Sequence, residues 1–332
     1  MTCVSCPAAG EADRLGASSR GHAGAAAVPA LLLSGIGWSE FDTQMHTLFL
    51  KLTATALALV VVGTLVTLAS GVWSWRFATA KLVDRLNETR AAASAAHYDS
   101  AALAGLPAPV ERYFRTVLRE GQPFVSSACF AQTGTFRMGD GDDTWKPFSA
   151  MQTYGVTPPA FVWDARIRVM PGLAVNVCDG YVDTHATMRG RIGGVFTVID
   201  AQDSPDLEAG ALQRHLAECV WFPTALLPSQ GVRWTAIDDE RALATLADGQ
   251  TSVSLEFRFA PTGEIASAFT PSRSREVKGA YVATPWECHY GDYTERDGMR
   301  IPFAGEVEWQ LPGGRLPYWR GNITDVTFTF AP

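Results

Sequence analysis

Few residues in this chain combine the type and the spacing that chemistry requires. Asp164, Arg166 and Arg168 alternate along one segment, and Glu306 and Glu308 along another. If those two faces meet in an apolar hollow, Asp164 or Glu306 becomes a candidate general acid or base. Burial would raise its pKa, and Arg166 would be its charge partner. The same alternation suits a solvated, ion-paired sheet face, which is the expected reading. His215 and Cys219 share a helix face at i, i+4 with Glu218 beside them, but two ligands do not hold a transition metal. Asp140, Asp142 and Asp143 begin like a calcium loop, yet Trp145 and Met151 stand where its glycine and glutamate belong, so a hairpin turn is expected. Cys3 and Cys6 form a lone pair, and the other cysteines define neither a disulfide framework nor a zinc site. No GxSxG elbow, P-loop, GxGxxG or HExxH is present. No metal or cofactor is expected, and the chain leans away from catalysis.

The aromatic residues are more informative. Seven of the ten Trp fall between 145 and 319. Trp163, Tyr181, Trp221, Trp234, Phe257, Trp286 and Trp309 are the candidate ligand-binding residues. They either fill a core or line a cavity for an acyl chain or another apolar ligand.

Such residues need elements to position them. In 252–259, Val253, Leu255, Phe257 and Phe259 alternate with polar residues, the period of a half-buried strand. The pattern recurs at 164–169, 306–311 and 323–330, and Asp-Gly pairs at 140, 179, 248 and 297 suit tight turns. About ten strands are expected, mostly antiparallel. Two short helices accompany them. One follows Pro107 and Pro109, with Val110, Tyr113, Phe114 and Val117 on one stripe and Gly121 as its stop. The other spans 205–221, capped by Ser204. The expected fold is mainly β, of the α+β type: a large curved antiparallel sheet or half-barrel packed on two short helices. A sheet of that size curls and leaves an apolar hollow.

Leu52 to Trp75 is a run of 24 residues without a charge. As a helix it reaches roughly 36 Å, enough to cross a hydrocarbon core of about 30 Å. Trp73, Trp75 and Arg76 at its end suit an interfacial anchor. The run is too long for a cleaved signal sequence, and no cysteine follows it closely enough for lipidation. The predicted organisation is a disordered tail over 1–44, which includes the possibility of an over-extended start before Met45. A transmembrane anchor over 45–76, a juxtamembrane helix and linker over 77–99, and a soluble β-rich domain over 100–332 follow. Lys51 precedes the span, while Arg76, Lys81, Arg85 and Arg90 follow it, so the positive-inside rule favours a cytoplasmic carboxyl-terminal domain at a bacterial inner membrane. The net charge of −7 falls wholly on residues 100–332. Nucleic acid is excluded as a partner, and adhesion to an anionic bilayer is not expected. Protein partners are not specified.

The segments LPAPVERYF (106–114), PPAFVWDARI (158–167), WFPTALLP (221–228), GVRWTAID (231–238), TPWE (284–287) and YWRG (318–321) resemble a widespread bacterial family of uncharacterised proteins. The resemblance covers nearly all of 100–332. It implies a fold similar to the half-barrels of bacterial lipoprotein carriers and lipid-binding lipoproteins, and no particular activity. The function expected is a membrane-anchored domain that binds a lipid or other apolar ligand in its hollow. The alternatives are an enzyme acting on a lipid-like substrate and a structural or partner-binding membrane protein.

Overall fold

The computed structural model describes residues 38–90, 97–139 and 144–331. The chain divides into two compact units, 1–59 and 60–332. The expected calcium-like turn at 140–143, the Cys3/Cys6 pair and the tail up to residue 37 lie outside the described residues. Helix α1 runs unbroken over Trp38–Thr89, so residues 38–44 are its opening turns. In the first unit, residues 41–59 are exposed throughout.

The second unit is built on one antiparallel sheet of 13 strands, three more than the alternation predicts. The first meander is β1 (Val125–Arg137), β2 (Trp145–Gly155), β3 (Ala160–Met170), β4 (Leu173–Val182), β5 (His185–Ile192) and β6 (Phe196–Gln202). The second is β7 (Arg233–Ala236), β8 (Arg241–Asp248), β9 (Thr251–Phe259), β10 (Ile265–Val277), β11 (Ala280–Arg296), β12 (Met299–Leu311) and β13 (Gly314–Phe330). Every strand pairs with its sequence neighbours, save that β6 and β7 are the two sheet edges and β1 joins β13 at the middle. At that seam Gly134 stands opposite Gly321. A Cβ on Gly134 would come within 2.0 Å of the Arg320 carbonyl oxygen, so glycine permits the two strands to pair there.

Two helices serve the inner face, as expected. Helix α2 (Ala108–Val117) starts after Pro107, and its Val110, Tyr113, Phe114 and Val117 recur at helical spacing and are all buried. Helix α3 (Pro205–Glu218) links the two meanders. Its start is fixed by the Ser204 hydroxyl, which accepts from the Leu207 amide at 3.2 Å. The predicted continuation to 221 is a tighter 3-10 turn over Cys219–Trp221. Since α3 touches β4 and β5 on one flank and β8, β9 and β10 on the other, the sheet curls around it. The core lies in that curl, where Phe130 packs edge-on against Tyr154 and Phe328.

The outer face is partly covered by the carboxyl-terminal half of α1. Trp75, Thr79 and Leu86 are buried at helical spacing, with Leu82 and Val83 beside them against Val162, Cys178 and Val182. The segment expected as a juxtamembrane stalk is thus packed on the sheet. The Trp75 indole donates to Asp164 Oδ1 at 3.0 Å, and Arg85 pairs with Asp183 at 2.6 Å.

Candidate ligand cavity

Strand alternation decides which side chains reach the hollow. On β3, Trp163 and Ala165 turn inward, so Asp164 and Arg166 turn to the outer face. There Asp164 borders a groove of about 610 Å³ with Trp75, Arg76 and Arg166. Burial raises its pKa, and the Trp75 hydrogen bond and Arg76 oppose the rise. Glu306 borders the inner hollow and pairs with Arg315 at 2.8 Å and Arg320 at 2.6 Å. The candidate acid–base pair therefore does not assemble: Asp164 and Arg166 belong to one face and Glu306 to the other cavity. Arg168 is exposed on the outer side of β3.

The inner hollow has a cavity of about 410 Å³, within the usual range for small-molecule sites. Trp163, Trp221, Trp286 and Trp309 line it. Tyr181, Trp234 and Phe257 do not. The Tyr181 hydroxyl donates to Asp248 at 2.9 Å, the Trp234 indole donates to the Leu226 carbonyl at 2.9 Å, and the Trp234 and Phe257 rings pack at 5.4 Å. These three complete the core. Tyr318 and Trp319 also line the cavity, and Tyr318 stacks on Trp309 at 5.8 Å while its hydroxyl accepts from the Trp286 indole at 2.9 Å.

Two arginines, neither singled out by the sequence, set the electrostatics. Arg214 on α3 pairs with Asp179 at 2.6 Å and Glu218 at 2.9 Å, and lies over the rings of Phe161 and Trp163. Burial opposes its charge, but Glu218 and Asp179 outweigh it and raise its pKa. Glu218 also accepts from the Tyr154 hydroxyl at 2.8 Å and the Gln152 amide at 2.9 Å. Gln152 in turn accepts from Gln132, which accepts from the Trp163 indole. This network is closed. Arg273 on β10 is different. Its guanidinium lies 4.4 Å over the Trp286 ring, it lines the cavity, and its buried Nη1 has no acceptor among the described residues. The indole nitrogen of Trp221 is likewise buried and without an acceptor. The spacing of Arg273 from Arg275 resembles any solvated strand face, so only the fold distinguishes it.

Metal ligation is not favoured at the sequence candidates. His215 is buried against Tyr154 and Phe222, and burial lowers its pKa to about 4. Burial pushes the Cys219 thiol well above its ordinary pKa, while Glu218 serves Arg214. Glu287, His289 and Glu308 do bring ligand atoms within 4.8 Å of one another. Glu308 is already held by Arg315 at 2.6 Å and by His289 at 3.4 Å. Burial opposes that carboxylate, yet these partners bring its pKa below the usual value. His185, Asp203 and Glu208 form a second such group near the surface.

A single curled antiparallel sheet with a helix in its hollow and an aromatic cavity beside it defines a β-rich, cavity-bearing class of domain. Within that class, the chain belongs to the Family of unknown function (DUF6920), whose model matches residues 104–328. No curated protein matches the chain. Among solved structures, the chain is similar to the crystal structure of the LolA superfamily protein NE2245 from Nitrosomonas europaea. That similarity is 12% identity over 68% of this chain and 93% of that one, at a TM-score of 0.35.

Proposed function

We propose that this protein is a single-pass membrane-anchored binder of an acidic amphiphile, held with its acyl chain against the cavity tryptophans and its acid group at Arg273. The observation that carries this reading is an apolar cavity bordered by a guanidinium nitrogen that has no acceptor among the described residues. A buried donor left unpaired costs about 1–3 kcal/mol, so a ligand carrying an anionic oxygen gains what the protein leaves unmade. The exposed part of α1 before Leu68 supplies the anchor, since this helix is long and apolar enough to cross a membrane, whereas Trp75, expected at the membrane interface, is buried on the sheet. The cations after residue 75 favour a bacterial inner membrane with the β-rich domain on the cytoplasmic side.

The test compares oleate with oleyl alcohol on the delipidated full chain, with native mass spectrometry as the readout. Oleate is expected to be retained as one molecule per chain in preference to the alcohol. Arg273→Leu should weaken oleate by roughly tenfold or more and leave the alcohol unchanged. Gly210→Leu projects a side chain into the cavity from α3 and should block both. Retention of neither amphiphile, or indifference of both to Gly210→Leu, refutes the reading.

A further inference from the structure

Neighbouring strands are antiparallel throughout, so alternate turns lie at the same end of the sheet. The turns β2–β3, β4–β5, β7–β8, β9–β10 and β11–β12 form one end. They carry Asp183, Asp238, Asp239, Glu240, Glu264 and Asp297. At the opposite end the turns β3–β4, β5–β6, β8–β9, β10–β11 and β12–β13 read Pro171-Gly172, Gly193-Gly194-Val195, Gly249-Gln250, Lys278-Gly279 and Pro312-Gly313. They contain no carboxylate and one cation.

The exposed apolar side chains are divided just as unevenly. Outside α1, Met170, Leu173, Phe196, Val198, Val277, Tyr281 and Val282 are exposed next to the turns of this second end, Phe196 at 69% and Met170 at 60%. The acidic end has Ile237 alone, and Met151 lies mid-strand. Isolated exposed apolar residues are ordinary, but a concentration on one edge marks a contact surface. The β1–β2 connection also falls at this end, and its residues 140–143 lie outside the described residues.

Helix α1 indicates what covers this edge. Leu68 and Gly71 abut the β5–β6 turn: a Cβ on Gly71 would come within 2.6 Å of the Val195 side chain, and one on Gly193 within 3.6 Å of Leu68. Toward its amino-terminal side the helix continues through Val66, Leu65, Val62, Val61 and Val60, all exposed. The apolar edge of the sheet therefore begins where the charge-free stretch of α1 leaves it. Arg191 donates to the Ser74 hydroxyl at 3.2 Å, and Arg168 stands two residues before Met170. Arg191 thus sits beside the carboxyl-terminal end of the charge-free stretch, where headgroup phosphates would lie. The −7 charge of the domain is unevenly spread, with Asp183, Asp238, Asp239, Glu240, Glu264 and Asp297 at the far end.

We infer that this end of the sheet is a membrane-contact surface. Its apolar turns seat in the headgroup–acyl boundary of the bilayer that α1 crosses, with Arg168 and Arg191 on lipid phosphates. The cavity opens onto the same boundary, since Tyr281, an exposed lining residue, flanks the β10–β11 turn. An amphiphile then passes between bilayer and hollow without crossing water. The inference rests on the anchoring role of α1 given above.

The experiment uses the full chain with Cys3→Ser, Cys6→Ser and Cys129→Ser, in vesicles of phosphatidylethanolamine and phosphatidylglycerol. A polarity-sensitive fluorophore is attached singly at Met170→Cys, Phe196→Cys, Val277→Cys, Thr262→Cys or Val61→Cys, all exposed positions. At the three edge positions emission is expected to shift to the blue and to lose most of its intensity when the vesicles carry lipid spin-labelled near the headgroup, while Val61→Cys is read against lipid spin-labelled at mid-acyl chain. Thr262→Cys, at the acidic end, should keep its aqueous emission. Quenching at Val61→Cys with none at the edge overturns the membrane contact and leaves the anchor standing. No quenching at Val61→Cys overturns the anchor and this inference together. A blue shift at the edge without quenching means that protein covers it, as in a second copy, and also overturns the inference.

Discussion

Arg214 keeps its charge inside an aromatic wall because Asp179 and Glu218 bracket it and the second oxygen of Glu218 accepts from Tyr154 and Gln152. Truncating it strands two half-buried carboxylates. Arg214→Leu should therefore lower unfolding free energy by about 3–5 kcal/mol, as read by urea denaturation of the chain. His215, one residue on, gives a pH signature. Its folded pKa of about 4 lies below the ordinary value of 6.5, so between those values the unfolded chain binds the proton and the folded chain does not. Its contribution is complete above 6.5 and falls away as pH drops toward 4, by about 3 kcal/mol in all. His215→Leu should flatten that window in pH-dependent denaturation curves. The sequence made His215 visible as a possible ligand but hid Arg214 and Arg273, because arginines on helices and strands are usually solvated. Only the curl of the sheet places these two beside tryptophans.

Among the elements, the β1–β13 seam and the outer-face docking of α1 carry the largest consequences. At the seam a methyl group on Gly134 meets backbone at 2.0 Å, whereas one on Gly313, in the β12–β13 turn, meets nothing within 4 Å. Gly134→Ala should cost about 1–3 kcal/mol or more, and Gly313→Ala should fall within a few tenths of neutral. Thermal melts of the two variants make the comparison. About ten of the 13 strands and both inner helices were legible from period and punctuation. Val253, Leu255 and Phe257 announced β9, and Ser204 with Pro205 announced α3. The burial of Trp75 and Leu86 was not legible, since a helix stripe that packs on a sheet reads the same as one facing lipid. Four of the seven aromatic candidates reached the cavity. Tyr181, Trp234 and Phe257 did not, because alternation gives a face but not the depth at which a curled sheet closes on itself.

For the whole molecule, α1 is both a membrane-competent helix and a cover for the sheet. A chain shortened to begin at residue 97 loses Trp75, Leu82 and Leu86 and bares Val162, Cys178 and Val182. It should bind a hydrophobic dye more strongly than the intact chain and self-associate in sedimentation. If it stays monomeric and dye-free, the cover is dispensable. The seam adds a constraint of order in time. The Ser126 hydroxyl donates to the Thr329 carbonyl 203 residues along the chain, so the centre of the sheet pairs strands from opposite ends of the domain. Closing so long a loop comes late and slowly. During synthesis α1 emerges before the sheet, and β13 emerges after every other strand. The first meander must therefore wait with its central edge unpaired until its partner arrives. The hollow takes its walls only when β1 finds β13, so the cavity can hold nothing until the last strand of the sheet has been made.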